Sequence, residues 1–388
     1  MPNLALKEEC IGCTACAQAC PKQCIEMKKD FEGFRYPEII CIEECINCGM
    51  CEKACPILNA NHDESKLPTA YAALSKNESI RTDSSSGGIF TELATSILLQ
   101  NGVVYGAAYN EQFDIEHICV ESVDDLSKLR GAKYAQSNMG NCFTDILARL
   151  KEGQKILLSG SPCQVAGLKA FLKKDYENLI CVDFVCHGVP SPMAWKEYVS
   201  YRAKEDADGT LPKSINLRSK DTGWSRYQYS NVFEYEDGKK HSALSSQSLF
   251  MKLFVGDYIS RPSCEDCKFK GYSRVSDITL GDFWGIWDID SEMDDNKGTS
   301  VILVQSDKGQ ALWNEISDRI VCKEVTLEQA SLQNPSMLTT SKANPKREEV
   351  LELIREGRIE ESEALFVQPK ASMMSRIKGK VKRIIKGN

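Results

Sequence analysis

Histidine is scarce in this chain of 388 residues, which has only four. No run of 18 apolar residues occurs, so the sequence offers no membrane-spanning helix. The opening MPNLALKEE lacks the basic-then-apolar pattern of a secretory leader, and a cytoplasmic chain is expected. Positive charge is also short, at 48 basic against 55 acidic residues. Seven of the basic residues fall in the last 19, from Lys370, where no acidic residue occurs, so the body before them carries −14. An acidic body argues against nucleic acid as the main partner. Apolar residues are not lacking: 42% hydrophobic and 27% charged excludes wholesale disorder. The length suits two or three domains.

What the chain has in excess is cysteine, with 18, ten of them in the first 60 residues. So many thiols in a chain expected to be cytoplasmic point to metal or redox chemistry rather than disulfides. Two windows repeat at an offset of 35: EECIGCTACAQACP from Glu8 and EECINCGMCEKACP from Glu43, identical at nine of 14 positions. Each carries C-x2-C-x2-C-x3-C-P, the bacterial ferredoxin spacing for 4Fe–4S clusters. Three thiolates two residues apart wrap one face of a cubane, and the small Gly12, Ala15 and Gly49 let backbone approach. The fourth cysteine reaches the other cluster along a short helix. The expected sets are therefore Cys10, Cys13, Cys16 with Cys55, and Cys45, Cys48, Cys51 with Cys20. Zinc is the alternative, but zinc sites gather two separated C-x2-C pairs, not two crowded fours. Cys24 and Cys41 fall outside the pattern and read as packing residues. Residues 1–60 are thus expected to form a two-cluster domain that passes single electrons.

After a polar stretch ending at Pro68, strand and helix patterns alternate. Strands are expected at 69–75, 103–109, 117–122, 155–161 and 179–186, and helices from 89, over 141–151, over 162–173 and from 191. From 214 to 280 the pattern is more β-rich, and a strand at 299–306 and a helix at 309–318 close the body. The fold class is therefore α+β: a ferredoxin-like domain, then an α/β body.

Three body segments carry chemical signals. Ser84-Ser85-Ser86-Gly87-Gly88 opens a helix, which suits an anionic cofactor phosphate or, more plainly, an ordinary serine cap. Gly160-Ser161-Pro162-Cys163 and Cys186-His187-Gly188 each follow a strand, on the edge where open α/β sheets bind ligands. Cys163 at a helix start has a stabilised thiolate and is open to ligand, nucleophile or packing roles. Cys264 and Cys267 form a lone C-x2-C, open to zinc, redox or half-cluster use. Together Cys163, Cys186, Cys264 and Cys267 supply the four thiolates that a third cluster needs.

The stretches SSSGGIFTELA (84–94), RGAKYAQS (130–137), SGSPCQVAGL (159–168), VCHGVPS (185–191), LRSKDTGW (217–224), SCEDCKFK (263–270) and SDITLGDFWG (276–285) occur in this order. The set resembles the coenzyme F420 hydrogenase/dehydrogenase beta-subunit family, over roughly 68–345, with the ferredoxin-like segment as an N-terminal extension. The resemblance implies FAD in the body and a third 4Fe–4S cluster beside it on Cys163, Cys186, Cys264 and Cys267. It implies Ser86, Gly87 and Gly88 at the FAD pyrophosphate, Lys133 and Tyr134 near the flavin, and Asp282 orienting a cofactor or its loop. Lys133 reads equally as a surface lysine and His187 as a core histidine, and no catalytic residue is singled out.

Clusters carry single electrons while a flavin exchanges one or two, so the implied activity is an FAD-dependent iron–sulfur oxidoreductase. The acceptor implied by the family is coenzyme F420; relatives also reduce other conjugated systems, chlorophyll derivatives among them. A ferredoxin-like protein is a further redox partner, and a homo-oligomer stays open. The alternatives are a non-catalytic electron-transfer subunit and a metal-stabilised binding module. Residues 346–388 separate from the body: KREEVLELIREG reads as a charged helix. In 373–388, Met374, Ile377, Val381, Ile384 and Ile385 share one face opposite lysines, a pattern for a membrane surface or a partner groove, or simply a basic tail. Cys119, Cys142, Cys181 and Cys322 read as packing or incidental thiols.

Overall fold

The computed structural model describes residues 2–59, 66–225 and 228–366. The N-terminal segment holds two single-turn helices, α1 (Ala15–Gln18) and α2 (Met50–Lys53), and the antiparallel pair β1 (Ile25–Lys29) and β2 (Arg35–Ile39). The sequence repeat is also a repeat of backbone conformation. Gly12 and Thr14 in one half, and Asn47 and Gly49 at the equivalent places in the other, all have positive φ. Left-handed residues between helical ones turn successive N–H groups to one side, an arrangement suited to a negatively charged group.

The body runs β3 (Thr69–Ser75), α3 (Glu78–Asp83), α4 (Ile89–Leu99), β4 (Val103–Tyr109), β5 (Ile115–Val120), α5 (Cys142–Lys151), β6 (Ile156–Ser159), α6 (Pro162–Leu172), β7 (Leu179–Phe184) and α7 (Pro192–Ala207). It continues with β8 (Ser214–Ser219), β9 (Ser230–Glu234), β10 (Lys240–Leu244), α8 (Leu249–Val255), β11 (Ile278–Asp282), β12 (Ser300–Val304), α9 (Asp307–Glu315), β13 (Ile320–Val325), α10 (Leu327–Ser331) and α11 (Arg347–Arg355). Eight strands form one mixed sheet in the order β13-β3-β12-β11-β7-β6-β4-β5, and β10-β9-β8 form a second. The fold is the expected α+β arrangement, with some elements beyond those expected, the short helices α3 and α10 among them. Helix α8 interrupts the β-rich stretch, and β13 adds an edge strand after the helix at which the pattern was expected to close.

The central strands are buried on both faces, and their side chains divide by the two-residue period of a strand. Val104, Leu157, Ile180 and Val182 pack under α4 with Ile89, Leu93 and Ile97. Val103, Tyr105, Ile156, Leu158, Leu179 and Cys181 pack under α5 and α6 with Phe143, Ile146, Val165 and Leu168. That second layer also takes in Cys13, Ala15 and Ala54, so the N-terminal segment is seated on the α5/α6 side of the sheet.

Strands β4, β6, β7 and β11 run parallel. Their C-terminal ends therefore share one edge, which presents Tyr109, Gly160, Cys186 and Asp282 just at or beyond the strands. The start of β12 meets the same edge, because it is antiparallel to β11. Among the described residues no helix is long and apolar enough to cross a membrane. The charged helix expected after residue 346 is α11, whereas the amphipathic pattern of 373–388 lies outside the described residues.

Candidate functional site

The N-terminal thiols fall into two groups. Cys10, Cys13, Cys16 and Cys55 line one small cavity, with Leu4, Met27 and Ile57 among the apolar walls. Cys20, Cys45, Cys48 and Cys51 line a second, more open one. In each group three cysteines come from one repeat and the fourth from the other. Desolvation pushes the Cys16 thiol up to about 12, and the neighbouring Cys10 and Cys55 add to it. Cys13 is raised for the same reasons, by burial and then by Cys16, and Cys51 by burial. Thiols this crowded and dry are costly as free anions, and a cation is what offsets them. Cys24, read from the sequence as a packing residue, lines the second cavity, and its backbone N–H lies 3.3 Å from Cys20 Sγ.

The body thiols also meet. Cys163 follows β6 and Cys186 follows β7, which are adjacent parallel strands. Cys264 ends a single 3-10 turn (Pro262–Cys264), and its Sγ lies 3.4 Å from the Val189 N–H, three residues past Cys186. Each of Cys163, Cys186 and Cys264 is raised by burial and further by other members of this set, Cys267 included. The helix start was expected to stabilise the Cys163 thiolate. Instead, desolvation pushes this thiol up to about 12, although the Ser161 hydroxyl, 3.1 Å away, pulls the other way. A nucleophile of that kind would be protonated at neutral pH, whereas a metal ligand exchanges its proton for the metal. No group of three or more His, Cys, Asp or Glu among the described residues is arranged around a single metal ion.

Farther along the same edge lie the residues expected at a cofactor. Gly87 is needed by the fold itself: an added Cβ would sit 2.5 Å from Ala73 O and 2.9 Å from Ser300 N. Its own N–H donates to Ser300 Oγ at 2.9 Å. Gly88, at φ 86°, caps α4. Ser86 O accepts from Lys220 Nζ at 2.8 Å, and Ser85 O lies 3.4 Å from Arg218. Arg218 is the hub. Its guanidinium is almost fully buried, pairs with Asp282, and approaches Tyr134 Oη at 3.3 Å. It also lies over the rings of Tyr229, Trp224 and Trp284 at 4.2, 4.5 and 5.6 Å. Thus Ser85, Tyr134 and Asp282 are brought together by a residue that sequence reasoning left unassigned inside LRSKDTGW, and Ser86 is held by Lys220. Lys220, in the same motif, was also missed. Desolvation, and then Arg81, lower its ammonium to about 7.

Lys133 sits slightly apart, 5.6 Å from the Tyr109 ring, with its Nζ donating to Arg130 O at 2.7 Å. Desolvation lowers it to about 7 as well. Because the unfolded chain holds this proton more tightly, Lys133 makes stability rise with pH between about 7 and 10.5. Competitive amine labelling of Lys133 is expected to titrate with a midpoint near pH 7; a midpoint near 10.5 would contradict this placement.

Five buried polar atoms near this edge have no hydrogen-bond partner among the described residues: Ser85 Oγ, Tyr109 Oη, His117 Nδ1, Arg130 Nε and Arg218 Nε. An unsatisfied buried polar group costs about 1–3 kcal/mol, so five along one edge fit a polar ligand lying across it. The cations nearest the serine loop, Arg130, Arg218 and Lys220, fit an anionic portion of that ligand.

Residues 9–59 match the family model described as a 4Fe-4S dicluster domain, which makes this an iron–sulfur protein by class. Residues 70–143 match "Coenzyme F420 hydrogenase/dehydrogenase, beta subunit N-term", and residues 153–330 match the model of the same beta subunit's C terminus. The chain belongs to the coenzyme F420 hydrogenase/dehydrogenase beta-subunit family. A 4Fe–4S domain joined to the body of an oxidoreductase subunit is an electron-transfer arrangement. No curated protein sequence matches the chain. Among solved structures, a chain of the F420-reducing [NiFe] hydrogenase complex from Methanosarcina barkeri, in a xenon-derivatised form, aligns with 79% of this chain and 94% of that one. The identity is 16% and the TM-score 0.46.

Proposed function

We propose that the chain is an iron–sulfur flavoprotein oxidoreductase with three 4Fe–4S clusters and FAD, acting on a conjugated acceptor such as coenzyme F420. The observation that carries this reading is the shared strand edge. The third thiol set and the row of unpartnered polar groups lie side by side on it, so a cluster and a polar cofactor would be neighbours. The two N-terminal sets are held by Cys10, Cys13, Cys16 and Cys55, and by Cys20, Cys45, Cys48 and Cys51; the third by Cys163, Cys186, Cys264 and Cys267. When bound, the clusters supply single electrons and the flavin converts between one- and two-electron steps.

The chain's own residues do the rest. Arg130, Arg218 and Lys220 would hold an anionic cofactor group near the serine loop and neutralise its charge. Asp282 and the rings of Trp224 and Tyr229 hold the Arg218 fork in place. Tyr134 and Lys133 would lie toward the flavin, and a lysine lowered to about 7 can hold or release a proton near neutrality.

Anaerobic purification followed by iron, sulfide and flavin assays tests this reading. The expected content is about 12 iron per chain, by four-iron stoichiometry, with FAD. Absence of both flavin and sulfide would overturn it. A second reading, an electron-transfer subunit of a larger complex, draws on the second thiol set. There Cys48 is exposed, and Ile42 and Ile46 are large apolar residues left in solvent. It expects the same cofactors but no turnover by the isolated chain.

A further inference from the structure

Arg261 is among the largest fully buried side chains of the protein, at 1% exposure. Its hydrogen bonds recorded among the described residues all go to neutral oxygens. Nε donates to Cys10 O at 2.7 Å, and the two terminal nitrogens donate to Gln136 Oε1 at 3.2 Å and Arg35 O at 3.1 Å. The guanidinium lies over the rings of Tyr36 at 4.1 Å and Phe34 at 5.1 Å. An uncompensated buried charge costs several kcal/mol, so such a cation needs a negative counterpart. The carboxylate expected in that role is not among these partners.

What surrounds Arg261 instead is thiols of two different sets. Its backbone belongs to the third set: its N–H donates to Val189 O at 2.9 Å, and its carbonyl accepts from the Cys264 N–H at 3.0 Å. Its side chain belongs to the first, through Cys10. A second contact ties the same two sets. Gly167 lies so close to Cys13 that an added Cβ would stand 2.7 Å from its Cβ. Gly167 is one helical turn past Cys163 on α6, a rise of about 6 Å.

Resting on the cluster assignment above, we infer that Arg261 is the shared counter-cation of two clusters, those held by Cys10, Cys13, Cys16 and Cys55 and by Cys163, Cys186, Cys264 and Cys267. A thiolate-bound cluster becomes more negative when it gains an electron, so a fixed cation beside it favours the reduced form. Arg261 therefore raises the reduction potential of both clusters together and leaves the Cys20, Cys45, Cys48 and Cys51 cluster unchanged. Raised together, the two potentials keep their difference, so the step it adjusts is one electron leaving the Cys20, Cys45, Cys48 and Cys51 cluster and entering this pair, with no bond made or broken. It is a positioning residue.

The test is an electron paramagnetic resonance redox titration of anaerobically purified wild type, Arg261→Gln and Arg261→Lys. For Arg261→Gln, the reduced-to-oxidised ratio of these two clusters at fixed potential should fall about tenfold, or about 59 mV for a one-electron couple, with the signal of the Cys20, Cys45, Cys48 and Cys51 cluster unmoved. Arg261→Lys should stay close to wild type. Unmoved potentials, a shift in one cluster alone, or an equal shift in all three would overturn the inference. If Arg261→Gln assembles no clusters, Arg261→Lys decides: assembly with wild-type potentials supports the need for charge, and failure of both variants overturns it. A wild type with fewer than three clusters would overturn the cluster assignment itself and this inference with it. Three clusters with unmoved potentials would overturn the inference alone.

Discussion

Replacing Cys264 by serine is expected to lower iron from about 12 to about 8 per chain, by loss of one four-iron cluster, while FAD and the two N-terminal clusters are retained. The selectivity follows from placement. Cys264 contacts the loop after β7 through Val189, and its thiol neighbours are Cys186, Cys163 and Cys267. None of the N-terminal thiols is among them. The flavin-side residues Arg218, Asp282 and Lys220 come from β8, the end of β11 and the loop after β8, not from the Pro262–Cys264 turn. Serine keeps the shape of the turn but offers a shorter, harder ligand with a far less acidic proton, and a cubane bound by three thiolates in this buried place is expected to be lost. Iron analysis with magnetic resonance on the reduced protein reads the outcome. Full iron retention would reject this ligand set, and loss of all 12 iron would show that the three sets assemble as one unit.

The two repeats were legible because their logic is local. Spacing within 14 residues sets three thiols on one face, and a short helix carries the fourth across; Cys55 beside Cys10 and Cys20 beside Cys51 follow from that alone. The third set was legible only as a count of four. Its convergence depends on β6 and β7 being parallel neighbours and on the Pro190–Ser260 bridge that brings the Cys264 turn to the loop after β7, and strand order is not written in any one segment. Helix α8 was hidden for a related reason: LFMKLFV is too short and too uniformly apolar for its period to separate helix from strand. Arg218 and Arg261 were missed although both sat inside or beside motifs that were noticed. The available signal was a cation in an apolar neighbourhood, Arg218 within NLRSK and Arg261 just before PSC. What each cation serves depends on residues brought in from elsewhere: Asp282 for Arg218, and Cys10 and Gln136 for Arg261. Cys24, read as a small packing residue near the clusters, is buried beside the second thiol set at the start of the β1–β2 pair.

The Arg218–Asp282 pair allows stability and cofactor binding to be separated. Arg218 is 7% exposed and Asp282 19%. Burial alone would weaken the guanidinium's charge, but Asp282, Tyr134 and Tyr229 more than offset it, so Arg218 stays protonated. Asp282→Asn leaves that cation buried without its carboxylate and is expected to destabilise the flavin-free protein by about 3–5 kcal/mol. Arg218→Met is expected to cost less, because the more exposed carboxylate can reach water or take up a proton. Replacing both, as Arg218→Met with Asp282→Leu, removes the charges together and should recover most of the loss, since an apolar pair of similar volume is often as stable as a buried ion pair. Urea denaturation followed by tryptophan fluorescence is well placed to read this, because Trp224 and Trp284 stack at 5.8 Å beside Arg218. Flavin content should not recover with stability. If Arg218 orders the serine loop and neutralises the cofactor, the double variant folds but holds no FAD, even with FAD in excess. A stable double variant that still binds FAD would confine Arg218 to a structural role and shift the site toward Arg130, Lys133 and His117.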